Sequence, residues 1–293
     1  MMFSGVYTAL ITPFKNGKVD FDAFSKLIES QCEKGIDGIV PCGTTGESST
    51  LLREEHEEII RFCVKKVKNR IKVIAGAGSN FTDEAIYFTQ FAKSVGCDGV
   101  LLVSPYYNKP TQKGVYLHFK TIADSIDIPV LLYNIAGRTS VNIEPMTIAK
   151  LFKDCKNIVG VKEASGSLSQ MAYIKSLVPD IELISGDDML TLPLLSIGGA
   201  GVISVLSNIV PEEIVYLVRA FKKENIKEAI RIYYKLLPLI KVMFIETNPI
   251  PIKTAASLMG ICESSLRLPM CSMEDINKIA LKRVLKNFNL IKC

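Results

Sequence analysis

The sequence predicts a (β/α)8 TIM barrel with a C-terminal helical extension, and three observations carry that prediction. Eight short, β-compatible apolar runs alternate with eight stretches whose apolar residues recur at helical spacing. Such alternation calls for a parallel sheet, and eight units favour closure into a barrel over an open doubly wound sheet. The runs end, one after another, on polar or unusual residues, as the rim of a barrel would. Beyond about residue 224 only helical patterns remain.

Taken in order, the strands are expected near 6–11, 38–41, 72–75, 99–103, 130–133, 158–162, 182–185 and 201–205. The helices between them are expected over 21–33, 53–68, 82–94, 113–125, 145–152, 168–177, 191–197 and 212–223. The stretch 189–211 carries no charge, yet Pro193, Gly198, Gly199, Gly201 and Asn208 suit a buried helix, a turn and a strand better than a membrane span. Further helices are expected over 227–244, 251–260 and 273–287. The chain thus divides into a barrel, residues 1–224, and a helical region, 225–293, packed on it and not independent.

Composition bounds the function. A chain of 293 residues with 48% hydrophobic and 22% charged residues can bury a large core. Its net charge of +5 is small, and basic residues alternate with acidic ones, as in 221–228, so a solvated surface explains them better than nucleic-acid binding. No basic segment precedes an apolar one at the N-terminus, so a cytoplasmic protein is expected. Eight cysteines, Cys32, Cys42, Cys63, Cys97, Cys155, Cys262, Cys271 and Cys293, form no Cys-x-x-Cys pair and fit free thiols in a reducing compartment. Only two histidines occur, His56 and His118, neither in a ligand pattern, so neither a metal centre nor a histidine triad is expected.

The chemistry centres on Asn157-Ile-Val-Gly-Val-Lys162-Glu-Ala-Ser-Gly166. An apolar run closed by Ser-Gly reads as a strand buried on both faces, with Gly160 and Lys162 on one face and Val159 and Val161 on the other. Gly160 is expected to clear space beneath the Lys162 stem. An ammonium at the end of such a strand loses hydration, which favours the neutral, nucleophilic amine and imine chemistry with a carbonyl. The alternative is a lysine that reaches past the strand end into water.

Other strand ends add candidates. Gly43-Thr44-Thr45-Gly46-Glu47-Ser48-Ser49-Thr50 offers amides and hydroxyls to a carboxylate or phosphate, although a plain turn explains it equally well. It lacks the Gly-Lys-Ser/Thr ending of a nucleotide P-loop. Gly76-Ala-Gly78-Ser-Asn80-Phe81 fails as a dinucleotide fingerprint, because Phe81 stands where a third glycine belongs. Tyr106, Tyr107 and Tyr133 place phenols near the rim that holds Lys162, where they suit proton transfer in a chain without suitable histidines. Any one of them alone reads as a half-buried aromatic. Arg138 is either a surface charge or a fork for a substrate carboxylate.

Together these motifs resemble the dihydrodipicolinate synthase family. The resemblance covers Gly43-Thr-Thr-Gly-Glu47, Ser104-Pro-Tyr-Tyr-Asn-Lys-Pro110, Tyr133-Asn-Ile, Arg138-Thr, Val161-Lys-Glu-Ala-Ser-Gly166, Ser185-Gly-Asp-Asp188, Gly201-Val-Ile-Ser204, Asn248-Pro-Ile-Pro-Ile-Lys253 and Leu266-Arg-Leu-Pro-Met270. It implies condensation of pyruvate with aspartate semialdehyde in lysine biosynthesis, without cofactor or metal. Lys162 would form the pyruvate imine and Thr45 would hold the pyruvate carboxylate. Tyr133, Thr44 and Tyr107 would relay protons, with Tyr107 supplied across a subunit interface of a homotetramer, a dimer of dimers. Arg138 would orient the semialdehyde, and Gly186 and Ile203 would line the pyruvate pocket. Two alternatives are a lyase of the N-acetylneuraminate type, against which Arg138 argues, and a silent regulatory barrel, against which the intact Thr44, Tyr107, Tyr133 and Lys162 argue.

Two departures accompany the resemblance. Ile135-Ala136-Gly137 replaces a segment that usually carries a proline, which implies a looser loop for Arg138. In lysine-sensitive members a cleft binds lysine, and Ser48, His56, Asn80, Glu84 and Tyr106 match its lining, with Ser49 where a small residue is usual. Arg53 stands where a second histidine often does, and a permanent cation there implies weaker lysine binding.

Overall fold

The computed structural model describes residues 1–292, so Cys293, counted among the cysteines above, lies outside the described residues. Eight parallel strands close into one barrel: β1 (Gly5–Ala9), β2 (Gly38–Val40), β3 (Lys72–Gly76), β4 (Gly99–Val103), β5 (Val130–Asn134), β6 (Ile158–Glu163), β7 (Glu182–Ser185) and β8 (Gly201–Ser204). Each is followed by its helix: α1 (Phe21–Glu33), α2 (Arg53–Val67), α3 (Thr82–Ser94), α4 (Gln112–Asp124), α5 (Pro145–Asp154), α6 (Leu168–Leu177), α7 (Thr191–Ser196) and α8 (Pro211–Lys222). Pairing of β1 with both β2 and β8 closes the ring. A hairpin of Phe14–Lys15 with Lys18–Val19 precedes α1, and its two-residue strands are too short to register as a periodic pattern.

The strands read as unbroken apolar runs because both faces are covered. Tyr7, Val40, Ile74, Leu101, Leu131, Ile184 and Ile203 fill the interior, while Ile39, Val73, Val100, Leu132, Val161, Leu183 and Val202 pack under the helices. One strand departs from simple alternation. Val130 pairs with Ile158 but Leu131 pairs with Gly160, so β6 carries an irregularity at Val159. The extra residue shifts the period, and Val159 packs with the interior cluster while Val161 packs outside. The expectation that these two valines share a face is therefore corrected.

One end of the barrel is sealed. Phe3 is fully buried, edge-on to Tyr7 at 6.2 Å, and the Glu182 carboxylate accepts the Phe3 N–H at 2.6 Å and the Met2 N–H. Burial, and then Asp37, Glu182 and Asp98, push the Tyr7 phenol well above its usual range. Chemistry is left to the opposite rim, where the strands end.

Beyond α8 come α9 (Ile226–Val242), α10 (Ile250–Leu258) and α11 (Asp275–Asn287). α9 lies on α8, and its Tyr233 hydroxyl donates to the Met189 carbonyl at 2.8 Å. α10 is buried from Ile250 to Ala256, and the Arg267 guanidinium donates to the carbonyls of Thr50 and Gly17, each at 2.9 Å. These contacts hold the C-terminal helices against the rim. No helix among the described residues is long and apolar enough to cross a membrane.

Candidate active site

The centre of the site is built by two neighbouring strands. Tyr133 on β5 and Lys162 on β6 are register partners, and both are buried, at 5% and 6% exposure. The Lys162 Nζ lies 4.1 Å from the centroid of the Tyr133 ring. Space for the lysine stem comes from the next strand end. A Cβ on Gly186 would stand 3.0 Å from Lys162 Cε and 2.7 Å from Ala164 Cβ. A Cβ on Gly160 would instead meet the Glu182 carbonyl oxygen at 2.4 Å, so Gly186, and not Gly160, clears the stem. Ile203 on β8 is fully buried in the same interior cluster.

The loop after β2 is a tight turn, with Gly46 N–H and Ser48 N–H donating to the Gly43 carbonyl at 3.1 and 3.2 Å. Thr44 is partly exposed; Thr45 is buried, and its Oγ1 accepts from Asn248 Nδ2 at 2.9 Å. Glu47 adopts a left-handed backbone, φ 57, and sends its carboxylate inward to Lys253 of α10 at 2.6 Å. Those two side chains are 1% and 0% exposed. The second Glu47 oxygen accepts the Arg267 N–H at 3.1 Å, and the Lys253 and Arg267 cations lie over the Phe14 ring at 4.2 and 4.4 Å. Burial pushes the Lys253 amine down, and Glu47 opposes that shift.

Arg138 is exposed and stands on a helical turn, Ala136–Thr139, closed by Ser140 N–H on the Ala136 carbonyl at 2.8 Å. Its Nη2 donates to the Asn248 carbonyl at 2.8 Å. The segment whose missing proline implies a looser loop thus opens into one turn of helix, tied to the C-terminal region through Arg138. Asn248 touches both Thr45 and Arg138, one through its amide and one through its backbone.

A cavity of about 470 Å³ is lined by Thr44, Arg138 and Asn248 together with Ser48, Ser49, Arg53, His56, Glu84 and Tyr106. His56 is buried, stacked on Phe88 at 4.2 Å, with Nε2 2.8 Å from the Gly76 carbonyl. Burial moves its imidazole below the usual range, so it is neutral at neutral pH. The Ser79 hydroxyl donates to Glu84 at 2.5 Å. Asn80 does not line the cavity; its amide donates to the Tyr106 carbonyl at 3.1 Å. Tyr107 is 89% exposed at φ 73 and is not brought to Lys162 within the chain. A larger groove of about 880 Å³, lined by residues of α4, α5 and α6, holds none of these residues.

Residues 2–288 match the Dihydrodipicolinate synthetase family. The chain belongs to that family. It is 75% identical over 291 residues to the 4-hydroxy-tetrahydrodipicolinate synthase of Endomicrobium trichonymphae, covering 99% of this chain and 100% of that one. Among solved structures it resembles dihydrodipicolinate synthase from Aquifex aeolicus, with TM-score 0.97, 50% identity and coverage of 98% and 99% of the two chains. It also resembles DHDPS from Cyanidioschyzon merolae with lysine bound, with TM-score 0.96, 44% identity and 99% of each chain covered.

Glu47, Asn248, Lys253 and Arg267 were visible in the sequence only as matched motifs, and the structure joins them at the rim. The available signal was Lys253 itself, one charge in the otherwise uncharged stretch 247–262.

Proposed function

We infer that the chain carries out the synthase reaction its relatives are named for, and we propose that Lys162 carries it. Pyruvate and L-aspartate 4-semialdehyde condense to 4-hydroxy-tetrahydrodipicolinate, a lyase-class step of lysine and diaminopimelate biosynthesis. The supporting observation is the buried Lys162 amine over the Tyr133 ring, inside a barrel whose next strand end, Gly186, leaves room for its stem.

The amine attacks the pyruvate ketone, and loss of water gives the imine. Its protonated nitrogen takes up the electron pair released when a methyl proton leaves, so the chemistry requires neither cofactor nor metal. The resulting enamine carbon attacks the aldehyde carbon of the semialdehyde. The semialdehyde amine then adds to the imine carbon and expels Lys162, closing the ring. Tyr133, Thr44 and Tyr107 relay the protons. Thr45, steadied by Asn248, holds the pyruvate carboxylate, and Gly186 and Ile203 line its pocket. Arg138, anchored on the Asn248 carbonyl, takes the semialdehyde carboxylate with its free donors.

A Tyr107 ring 89% exposed in the single chain fits a residue that serves a neighbouring subunit, and we assign a homotetramer built as a dimer of dimers. The seven described cysteines are free, which fits the cytoplasm. Given pyruvate and competing aldehydes, the protein is expected to consume aspartate semialdehyde and leave N-acetylmannosamine. Mixed Tyr107→Phe and Lys162→Ala subunits, each inactive alone, should regain part of that activity. Turnover of the sugar aldehyde would overturn the reaction assigned, and hybrids that form yet stay inactive would overturn the shared site.

Lysine is proposed as a feedback ligand of the rim cavity, at Ser48, Ser49, His56, Glu84 and Tyr106, with Asn80 bonded to the Tyr106 carbonyl. Glu84 offers the carboxylate for an ammonium, and neutral His56 adds no opposing charge. Arg53 lies 3.4 Å over the Tyr87 ring with its Nε 3.6 Å from Glu57, so much of its charge is already answered. Arg53→His should therefore tighten lysine by about fivefold at most, the ~1 kcal/mol limit of a screened surface charge. Calorimetric titration decides: no heat with either protein removes the site, and equal affinities remove Arg53 as a determinant.

A further inference from the structure

The residues that follow Tyr133 and Lys162, namely Asn134 and Glu163, are also register partners. Alternation turns them to the outer face, in line with Leu132 and Val161, which belong to the outer apolar cluster. Asn134 and Glu163 are nevertheless both at 0% exposure. A carboxylate is costly there unless its oxygens are satisfied. Among the described residues no cation pairs with Glu163; it is held by N–H groups alone.

Oε1 of Glu163 accepts the Ser165 N–H at 2.7 Å, and Oε2 accepts Asn134 Nδ2 and Gln170 Nε2, each at 2.9 Å. Asn142 completes the network, accepting from Asn134 Nδ2 at 2.8 Å and Gln170 Nε2 at 3.1 Å while donating to Gln170 Oε1 at 2.8 Å. Asn134 Oδ1 accepts the Ile143 N–H at 2.9 Å, and the Glu163 carbonyl accepts the Gly186 N–H at 2.8 Å. One carboxylate therefore ties the end of β6 to the end of β5, to the turn that follows β6 and to α6. Its backbone holds the glycine that clears the lysine stem.

Strand pairing alone fixes the register of the two strands, so the network is surplus to the fold at that level. What it adds is rotation: charge-assisted bonds on the outer face set how the two strand ends turn their next side chains inward. We propose that Glu163 is a positioning residue for the condensation, fixing the Lys162 amine against Tyr133 from behind the barrel wall. This rests on the reading of Lys162 as the imine-forming residue.

Glu163→Gln tests it, because the amide keeps the shape but puts an NH2 against N–H donors. The expected result is a fall in kcat of about tenfold, within what a sub-ångström misplacement produces, with KM for pyruvate changed by less than about threefold. Borohydride trapping with pyruvate should slow by the same factor yet still label Lys162 in full. Adding Gln170→Glu, which restores donor against acceptor across that bond, should recover part of the rate. If Glu163→Gln does not fold, Gln170→Met is read instead, with a smaller loss of kcat in the same pattern.

Wild-type protein that labels elsewhere than Lys162 would sink the imine reading and this proposal with it. Wild-type labelling at Lys162 with unchanged kcat in the folded variant would sink the positioning role alone. So would a loss of kcat equal to the loss of labelled fraction, which would mean that Glu163 only keeps the chain folded.

Discussion

Lys162→Ala should lose essentially all condensation, roughly 10³-fold or more, and all covalent labelling by pyruvate. The size follows from the chemistry: without the amine no imine forms, and no neighbour can substitute for the electron sink. Lys253, the other lysine buried near the rim, is held by Glu47 at 2.6 Å and is not free to attack. Lys162→Arg should fare no better, since a guanidinium stays charged and is a poor nucleophile. The measurement is mass analysis of the peptide containing residue 162 after borohydride reduction with pyruvate. Label on a different lysine, or turnover by the arginine variant above a few per cent, would show that the amine has been misassigned.

The barrel was legible because its strands are covered on both faces and its helices on one. Those two conditions write different periods into the sequence. What escaped was whatever breaks a period or spans the chain. The irregularity at Val159 moved one valine from the outer to the inner layer, and a single strand carries no sign of it. The helical turn 136–139 is too short to show a period, so the sequence does not announce it. Gly186 provides the room that the sequence alone points to at Gly160, because alternation reveals which residues share a face within a strand but not what the next strand brings.

Of the candidate site, Lys162, Tyr133, Gly186 and Ile203 meet inside the barrel, and Thr44 and Arg138 meet at one cavity on its rim. Tyr107 stands apart in the single chain. The residues that hold the site together were harder to see than the residues proposed to do the chemistry. Glu163 and Asn134 stand beside the conspicuous Lys162 and Tyr133, yet their partners Asn142 and Gln170 are ordinary polar residues. Their meeting depends on the packing of α6 against the sheet.

The largest stability effect should come from the pair that binds the C-terminal helices to the rim. Lys253→Met keeps the volume of the stem but leaves the Glu47 carboxylate buried with only the Arg267 N–H as partner. Breaking a buried ion pair on one side costs about 3–5 kcal/mol, most of it the penalty of the abandoned charge. Glu47 sits in the turn that carries Thr44 and Thr45, so the loss should also raise KM for pyruvate as that turn relaxes. Adding Glu47→Gln should recover more than half of the lost stability, because a neutral amide can keep the Arg267 bond without a buried charge. Denaturant titration of the single and double variants provides the measurement. If Lys253→Met unfolds at the wild-type midpoint, the pair contributes nothing to the hold of α10 on the rim. If the double variant is no more stable than the single, the cost lies in the lysine's packing over Phe14 and not in the stranded carboxylate.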